Sequence, residues 1–414
     1  MKDTVATTTA GVRGSYWDPK KLPENVTFTP LTFVAEDGAN SFGQLAAIGN
    51  KDTVALAMHP REYLPNNYLV PELLKANIST IVQAPRSVGN DVKLEHEVAL
   101  LDVAAGIRKA KELGYKKVIL IGMSGGAGLF SFYLQQANLT GDKRLANTPA
   151  GKPVKLPKAD LPVADGLILI SPHPGQGKLL MNCIDPSVTD EDDATSIDIT
   201  LSPFSPKNGF RKPPESSDYS EEFITRYREA QRERVARIDE WAKAAVKKRI
   251  AAKEALYLGE ITPQNMVISN HVPIKTIWRT DADLRCFDLS IEPTDRGFGS
   301  LWGPNPFVSN LGSIGFARTV TPDSWLSTWS GISSNATLEE TIKGVSQPTF
   351  MLRFSGDNSV FPSEVDTIFK ASSAEDKVIH VCPGNHHGRP VKKDDPLGQE
   401  LAGEHIREWI NARF

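Results

Sequence analysis

Two hydrophobic rhythms alternate along the chain. Residues 26–29 and 31–34 are β-type, 36–38 (Glu-Asp-Gly) form a turn, and 43–48 read as the returning strand, which together predict an antiparallel hairpin. The pattern then changes. Residues 53–58, 78–82, 118–121 and 166–170 are continuous apolar runs, as in strands covered on both faces. Helical spacing separates them. A short helix is expected over 71–76. Val98, Leu101, Ala104 or Ala105, Ile107 and Leu113 make an apolar stripe over 95–113 that Gly114 closes. A further helix runs from the small-residue cluster after 121 to about Ala137, and 138–162 is a Lys-, Pro- and Gly-rich loop. Strands and helices in alternation predict an α/β fold with a mostly parallel, doubly wound sheet and an N-terminal antiparallel hairpin.

After Gly175 this rhythm stops. Residues 176–214 are polar, acidic and irregular. One long helix is expected over 218–256, opened by an Asp218-x-x-Glu221 capping box and carrying Phe223, Tyr227, Ala230, Val235, Ile238 and Trp241 at helical spacing. Its Arg and Lys residues read as a solvated face. Residues 299–334 are rich in Trp, Phe, Gly, Pro and Asn. The βα rhythm returns with a strand at 349–354, a helix at 365–371, a strand at 377–381 and a C-terminal helix from about 396 to 412. The expected organisation is a core in two parts, 1–175 and 343–414, split by a large, mainly helical insertion at 176–342. Residues 1–24 are expected to form a polar surface arm.

Composition narrows the function classes. A chain of 414 residues with 40% hydrophobic and 23% charged content can bury an ordinary core. A net charge of −3 argues against nucleic acid or an anionic membrane as the main partner. Cys183, Cys286 and Cys382 are odd in number and widely spaced, so neither a disulfide framework nor a zinc site is expected, and a reducing, cytoplasmic location fits. The first residues hold no apolar signal-peptide core, and no run approaches 18 apolar residues, so neither a signal peptide nor a membrane span is expected.

The chemistry concentrates at Gly122-Met123-Ser124-Gly125-Gly126. This is the Gly-x-Ser-x-Gly pattern of a nucleophile elbow, with strand before and helix after. A serine forced onto so sharp a turn needs neighbours without bulk two residues away. A dinucleotide fingerprint fails because Ser124 replaces its middle glycine, and a P-loop fails because no Gly-Lys-Ser/Thr closes the run. A serine hydroxyl also needs a base, and the base an orienting carboxylate. Both occur after predicted strands downstream: Asp357 in Gly356-Asp357-Asn358, and the pair His386-His387 after Gly384-Asn385. Either His386 or His387 can be that base. A lone Gly-Asp after a strand is usually only a turn, and two histidines in a Gly-rich loop can simply be solvated. The order Ser…Asp…His is what sets these apart.

With the elbow at 122–126, the Gly-Asp turn at 356–357 and the Gly-Asn-His-His turn at 384–387, the chain resembles the α/β-hydrolase superfamily over roughly residues 25–175 and 343–414. That resemblance favours His386 as the base, with His387 the alternative, and implies a cap at 176–342 and no cofactor or metal. It also implies an oxyanion hole made by the N–H of Gly125 and one from the loop after the strand at 53–58. Pro60 has no N–H, so Arg61 is the expected donor there. His59, Met123, His173, Trp302 and Trp325 are expected substrate contacts, although each histidine can equally be structural and the aromatics can equally be cap core. The expected function is a carboxylesterase-like serine hydrolase acting on a bulky, apolar or aromatic small molecule through an acyl-enzyme. A lactone or thioester is an equivalent substrate. A C–C bond hydrolase, a cofactor-free lyase or oxidoreductase, and a non-catalytic binding protein remain as alternatives, and homo-oligomerisation is left open.

Overall fold

The computed structural model describes residues 19–49, 52–89, 91–313 and 315–414. Most of the expected N-terminal arm lies outside them. The strands β1 (Thr27–Val34), β2 (Asn40–Ala47), β3 (Thr53–Met58), β4 (Ser79–Gln83), β5 (Lys117–Met123) and β6 (Gly166–Ile170) come first. A two-stranded ribbon, β7 (Lys275–Thr276) and β8 (Thr319–Val320), stands apart from the sheet. β9 (Thr349–Phe354) and β10 (Lys377–Cys382) complete an eight-stranded sheet in the order β1-β2-β4-β3-β5-β6-β9-β10. β1 pairs antiparallel with β2, and β2 with β4; the remaining pairs are parallel. The expected class is therefore observed, hairpin included.

The apolar runs explain why the sheet is covered twice. Along β5, Val118 and Leu120 enter one core while Ile119, Ile121 and Met123 enter the other, the period of two that a strand imposes. α2 (His96–Glu112) and α3 (Gly125–Ala137) cover the first face. α1 (Leu69–Lys75) and the C-terminal helix Gly398–Asn411 cover the second. Each fully buried Leu, Ile or Phe there contributes about 1.5–3 kcal/mol. Parallel register brings the C-terminal ends of six strands, β4, β3, β5, β6, β9 and β10, to one edge, so the loops after Met58, Met123, Ile170, Phe354 and Cys382 are neighbours.

The long intervening segment packs around its own core. α4 (Gln176–Cys183), inside a stretch expected to be irregular, contributes Leu179 and Leu180. α5 (Glu221–Tyr257) contributes Val235, Ile238 and Ala242, and a π-type turn, Trp325–Trp329, contributes its two indoles. α6 (Pro263–Asn270) follows α5. The expected capping box does not form. Ser220 caps α5 by accepting from the Phe223 N–H at 3.2 Å, and Asp218 instead pairs with Arg211. No helix among the described residues is long and apolar enough to cross a membrane.

Candidate active site

Ser124 is the point where β5 turns into α3. Its backbone sits at φ 53°, ψ −118°, a region that side chains rarely occupy, and its N–H donates to Ile170 O at 2.9 Å. The turn is too tight for ordinary neighbours. A Cβ at Gly122 would lie 2.4 Å from Gly126 O, and one at Gly126 2.5 Å from Met58 O. α3 begins at Gly125, so the unpaired N–H groups of its first turn and the positive end of its dipole face the site.

Asp357 and His386 meet. His386 Nδ1 lies 2.8 Å and 3.0 Å from the two Asp357 carboxylate oxygens, and both residues are 1% exposed. Asp357 Oδ1 also accepts the N–H groups of Ser359 and Val360, at 2.8 and 3.0 Å, which fixes the carboxylate. A carboxylate can only accept here, so Nδ1 carries the proton and Nε2 presents the basic lone pair. That Nε2 is buried and makes no hydrogen bond within the protein. The acid and base loops are laced together by Gly356 N–H donating to Gly384 O. The base loop reaches the elbow through Ser171, the residue after the Ile170 carbonyl that receives Ser124 N–H: its hydroxyl donates to His386 O at 3.4 Å. His387 stands edge-on to His386, with ring centroids 4.9 Å apart, and its N–H donates to Asn385 Oδ1. It is His386, not His387, whose ring bonds to Asp357.

Two expected contacts are corrected. The Arg61 N–H donates to His59 Nδ1 at 3.2 Å, and its guanidinium forms a bidentate pair with Asp91 and lies over the Trp329 ring. That N–H is therefore engaged within its own loop and does not serve as the expected oxyanion donor. Trp325 is fully buried in the core of the intervening segment, and its indole N–H donates to Asp239 at 2.7 Å, so it packs that core and does not line a site. Trp302 packs edge-on against Phe316, which the Arg61 guanidinium also faces. Met123 and His59 instead bound an apolar cavity lined by Leu64, Leu69, Leu73 and Ile121.

His59 and His173 do lie at the elbow. A Cβ at Gly125 would be 2.8 Å from His59 Nε2, 3.4 Å from His173 Nε2 and 2.4 Å from Gln176 Nε2. Gln176 and His96 are additions to the expected set. His96 is buried beneath the Trp325–Trp329 turn, with Nδ1 3.0 Å from Thr328 Oγ1 and its N–H donating to Ser327 Oγ. In sequence His96 was only one position of an amphipathic helix, and Gln176 fell where the periodicity had failed.

Burial, reinforced by charge on neighbouring histidines, pushes the pKa of His173 down to about 3 and that of His96 down to about 4. Both rings are thus neutral in the fold but protonate near 6.5 when unfolded. The unfolded chain binds more protons between those values, so this stability is complete above about pH 6.5 and is lost as pH falls. We expect the free energy of unfolding in urea to drop between pH 7 and 5, by up to about 1.4 kcal/mol per pH unit for each histidine. A flat profile over that range contradicts the assignment.

No family model matches the chain, and no curated protein matches it. Solved structures are similar. The alpha/beta hydrolase GrgF from Penicillium sp. sh18 is 13% identical, with 94% of this chain and 99% of that one covered and a TM-score of 0.48. DcsB, solved with a substrate analogue, is 14% identical over 94% of this chain and 99% of its own, at 0.47. An esterase from Pyrococcus furiosus is 12% identical over 97% and 96%, at 0.41. The strand order, with a nucleophile-elbow turn at the end of β5 and the Asp and His loops at the same sheet edge, is that of the α/β-hydrolase fold.

Proposed function

We propose that the chain is a serine hydrolase that cleaves a carboxylic ester, or a related lactone or thioester, of an apolar small molecule through an acyl-enzyme. The observation that carries this reading is the buried Asp357–His386 pair, whose unpaired Nε2 belongs to the loop tied to the elbow of Ser124. Ser124 Oγ attacks the carbonyl carbon while His386 Nε2 takes its proton. The C–O (or C–S) bond then breaks, and His386 returns that proton to the leaving oxygen or sulfur. Water attacks the acyl-serine by the same route, releasing the acid and restoring Ser124. Asp357 holds the ring and offsets the imidazolium charge, and Gly125 N–H supports the oxyanion. The small cavity beside Met123 has a mainly apolar lining, which supports an apolar rather than a charged substrate at this edge of the site. Residues 176–342 act as the cap that shapes the entrance.

A fluorophosphonate probe tests the nucleophile. The wild-type protein should label stoichiometrically and hydrolyse p-nitrophenyl esters, and Ser124→Ala should do neither. Labelling that persists in Ser124→Ala rules the proposal out.

A further inference from the structure

The dipeptide His-Pro occurs twice in the chain, as His59-Pro60 and His173-Pro174. These turns follow β3 and β6, the two strands that flank β5 in the sheet. They are built alike. Proline offers no N–H, and in each turn the next N–H folds back onto the imidazole: Arg61 N–H donates to His59 Nδ1 at 3.2 Å, and Gly175 N–H donates to His173 Nδ1 at 3.1 Å. A backbone N–H can only donate. Each Nδ1 is therefore the acceptor, and each neutral ring must carry its proton on Nε2.

Both Nε2 atoms lie at Gly125, within 2.8 and 3.4 Å of where its Cβ would stand. The Gln176 side chain completes the arc; it is 3% exposed, its Nε2 is 2.4 Å from the same point, and its Oε1 is buried without a partner. These N–H groups surround the start of α3, where the helix dipole already favours negative charge. Meanwhile the loop N–H of Arg61 is committed to His59.

We propose that His59 and His173 are paired side-chain oxyanion donors. Their Nε2–H groups, together with Gly125 N–H, hold the substrate carbonyl oxygen as it gains charge during attack by Ser124. The inference rests on the acyl-transfer reading above and names residues that reading does not need. The His-Pro turn is the device that makes it work. It locks the donor tautomer with a main-chain bond, so the rings are poised before substrate arrives and need not reorganise in the transition state. At His173 burial also keeps the ring neutral, since its charged form is strongly disfavoured. A neutral donor can hold an oxyanion without also binding free anions tightly.

The test compares His59→Ala, His59→Gln, His173→Ala and His173→Gln with wild type on a p-nitrophenyl ester. Each alanine variant should lose about 10²–10³-fold in kcat with KM within a few-fold, the scale for removing one oxyanion donor. Affinity for a boronic acid that mimics the tetrahedral adduct should fall in parallel. Glutamine, which returns an N–H near the imidazole Nε2, should recover at least tenfold of the loss. Side-chain ¹⁵N spectra of the wild-type protein, assigned with the glutamine variants, should show both rings as the Nε2–H tautomer and both shifting when the boronic acid binds. This readout stands even where an alanine variant fails to fold. Unchanged kcat in folded alanine variants, a loss in KM alone, or an Nδ1–H tautomer overturns the proposal. If wild type neither labels with fluorophosphonate nor turns over esters, the acyl-transfer reading is what has failed. If wild type is active and the histidine variants match it, only the donor pair has failed.

Discussion

His386→Ala should lower kcat for a p-nitrophenyl ester on the order of 10⁴–10⁶-fold, and His387→Ala by no more than a few-fold. The two residues are adjacent, share a loop and touch each other, so only geometry separates them. His386 has its Nδ1 on a carboxylate that is itself pinned by two main-chain N–H groups, leaving a desolvated Nε2 to move a proton. Truncating it removes general base and general acid together, because the same nitrogen serves both half-reactions. The His387 ring packs edge-on against that base and has no bond to Asp357. Steady-state kinetics of the two variants decide the matter. Full activity in His386→Ala, or a collapse confined to His387→Ala, would refute the assignment.

The second large effect needs no change in any reacting group. In Gly122→Ala the added methyl would meet Gly126 O at 2.4 Å, Gly126 C at 2.5 Å and Ala127 N at 2.6 Å. All three are main chain, so no side chain can swing aside and the elbow must open. Movement of the first turn of α3 shifts Ser124 and Gly125 N–H together. A displacement of about 1 Å at reacting atoms costs on the order of 10²-fold in rate. We expect kcat/KM to fall by at least that factor and the fold to lose about 1–3 kcal/mol from overpacking. Gly128→Ala is the matched control. It lies in α3, just beyond the elbow, with nothing within 4 Å of its added Cβ, so it should keep activity and stability. Equal behaviour of the two variants in kinetics and urea unfolding would show that the tightness of the elbow is not what positions the serine.

What the amino-acid pattern made legible was whatever rests on local constraint. β3, β5 and β6 are buried on both faces, so their apolar runs are unbroken. The elbow announces itself because only glycine fits beside Ser124, and Asp357 and His386 stand out because they follow strands in a fixed order. The failures share a cause of another kind. Asp218-x-x-Glu221 fits a capping box, yet Ser220 lies nearer the true helix start and Arg211 attracts Asp218, a tertiary pairing that spacing cannot express. Arg61 is expected at the oxyanion because Pro60 before it has no N–H, but the partner of its own N–H depends on the His59 ring folding back. Trp325 could equally have lined a site or filled a core until Asp239, far away in α5, claimed its indole N–H. α4 is short and begins immediately after a left-handed Gly175 at φ 119°, so neither length nor a side-chain cap marks its start.

The chain leaves the sheet after Ile170 and rejoins it at Thr349, and β9 then pairs directly with β6. During synthesis this has a cost in time. The nucleophile half emerges first, and Leu167–Ile170 then present an apolar strand edge whose partner has yet to be made. At about 5–20 residues per second, translation of the intervening segment keeps that edge open for roughly ten to forty seconds. Ser124 already exists in that interval, whereas Asp357 and His386 do not. The same interruption that exposes the half-built sheet to misassociation therefore keeps the nascent chain without its base until the last strands arrive.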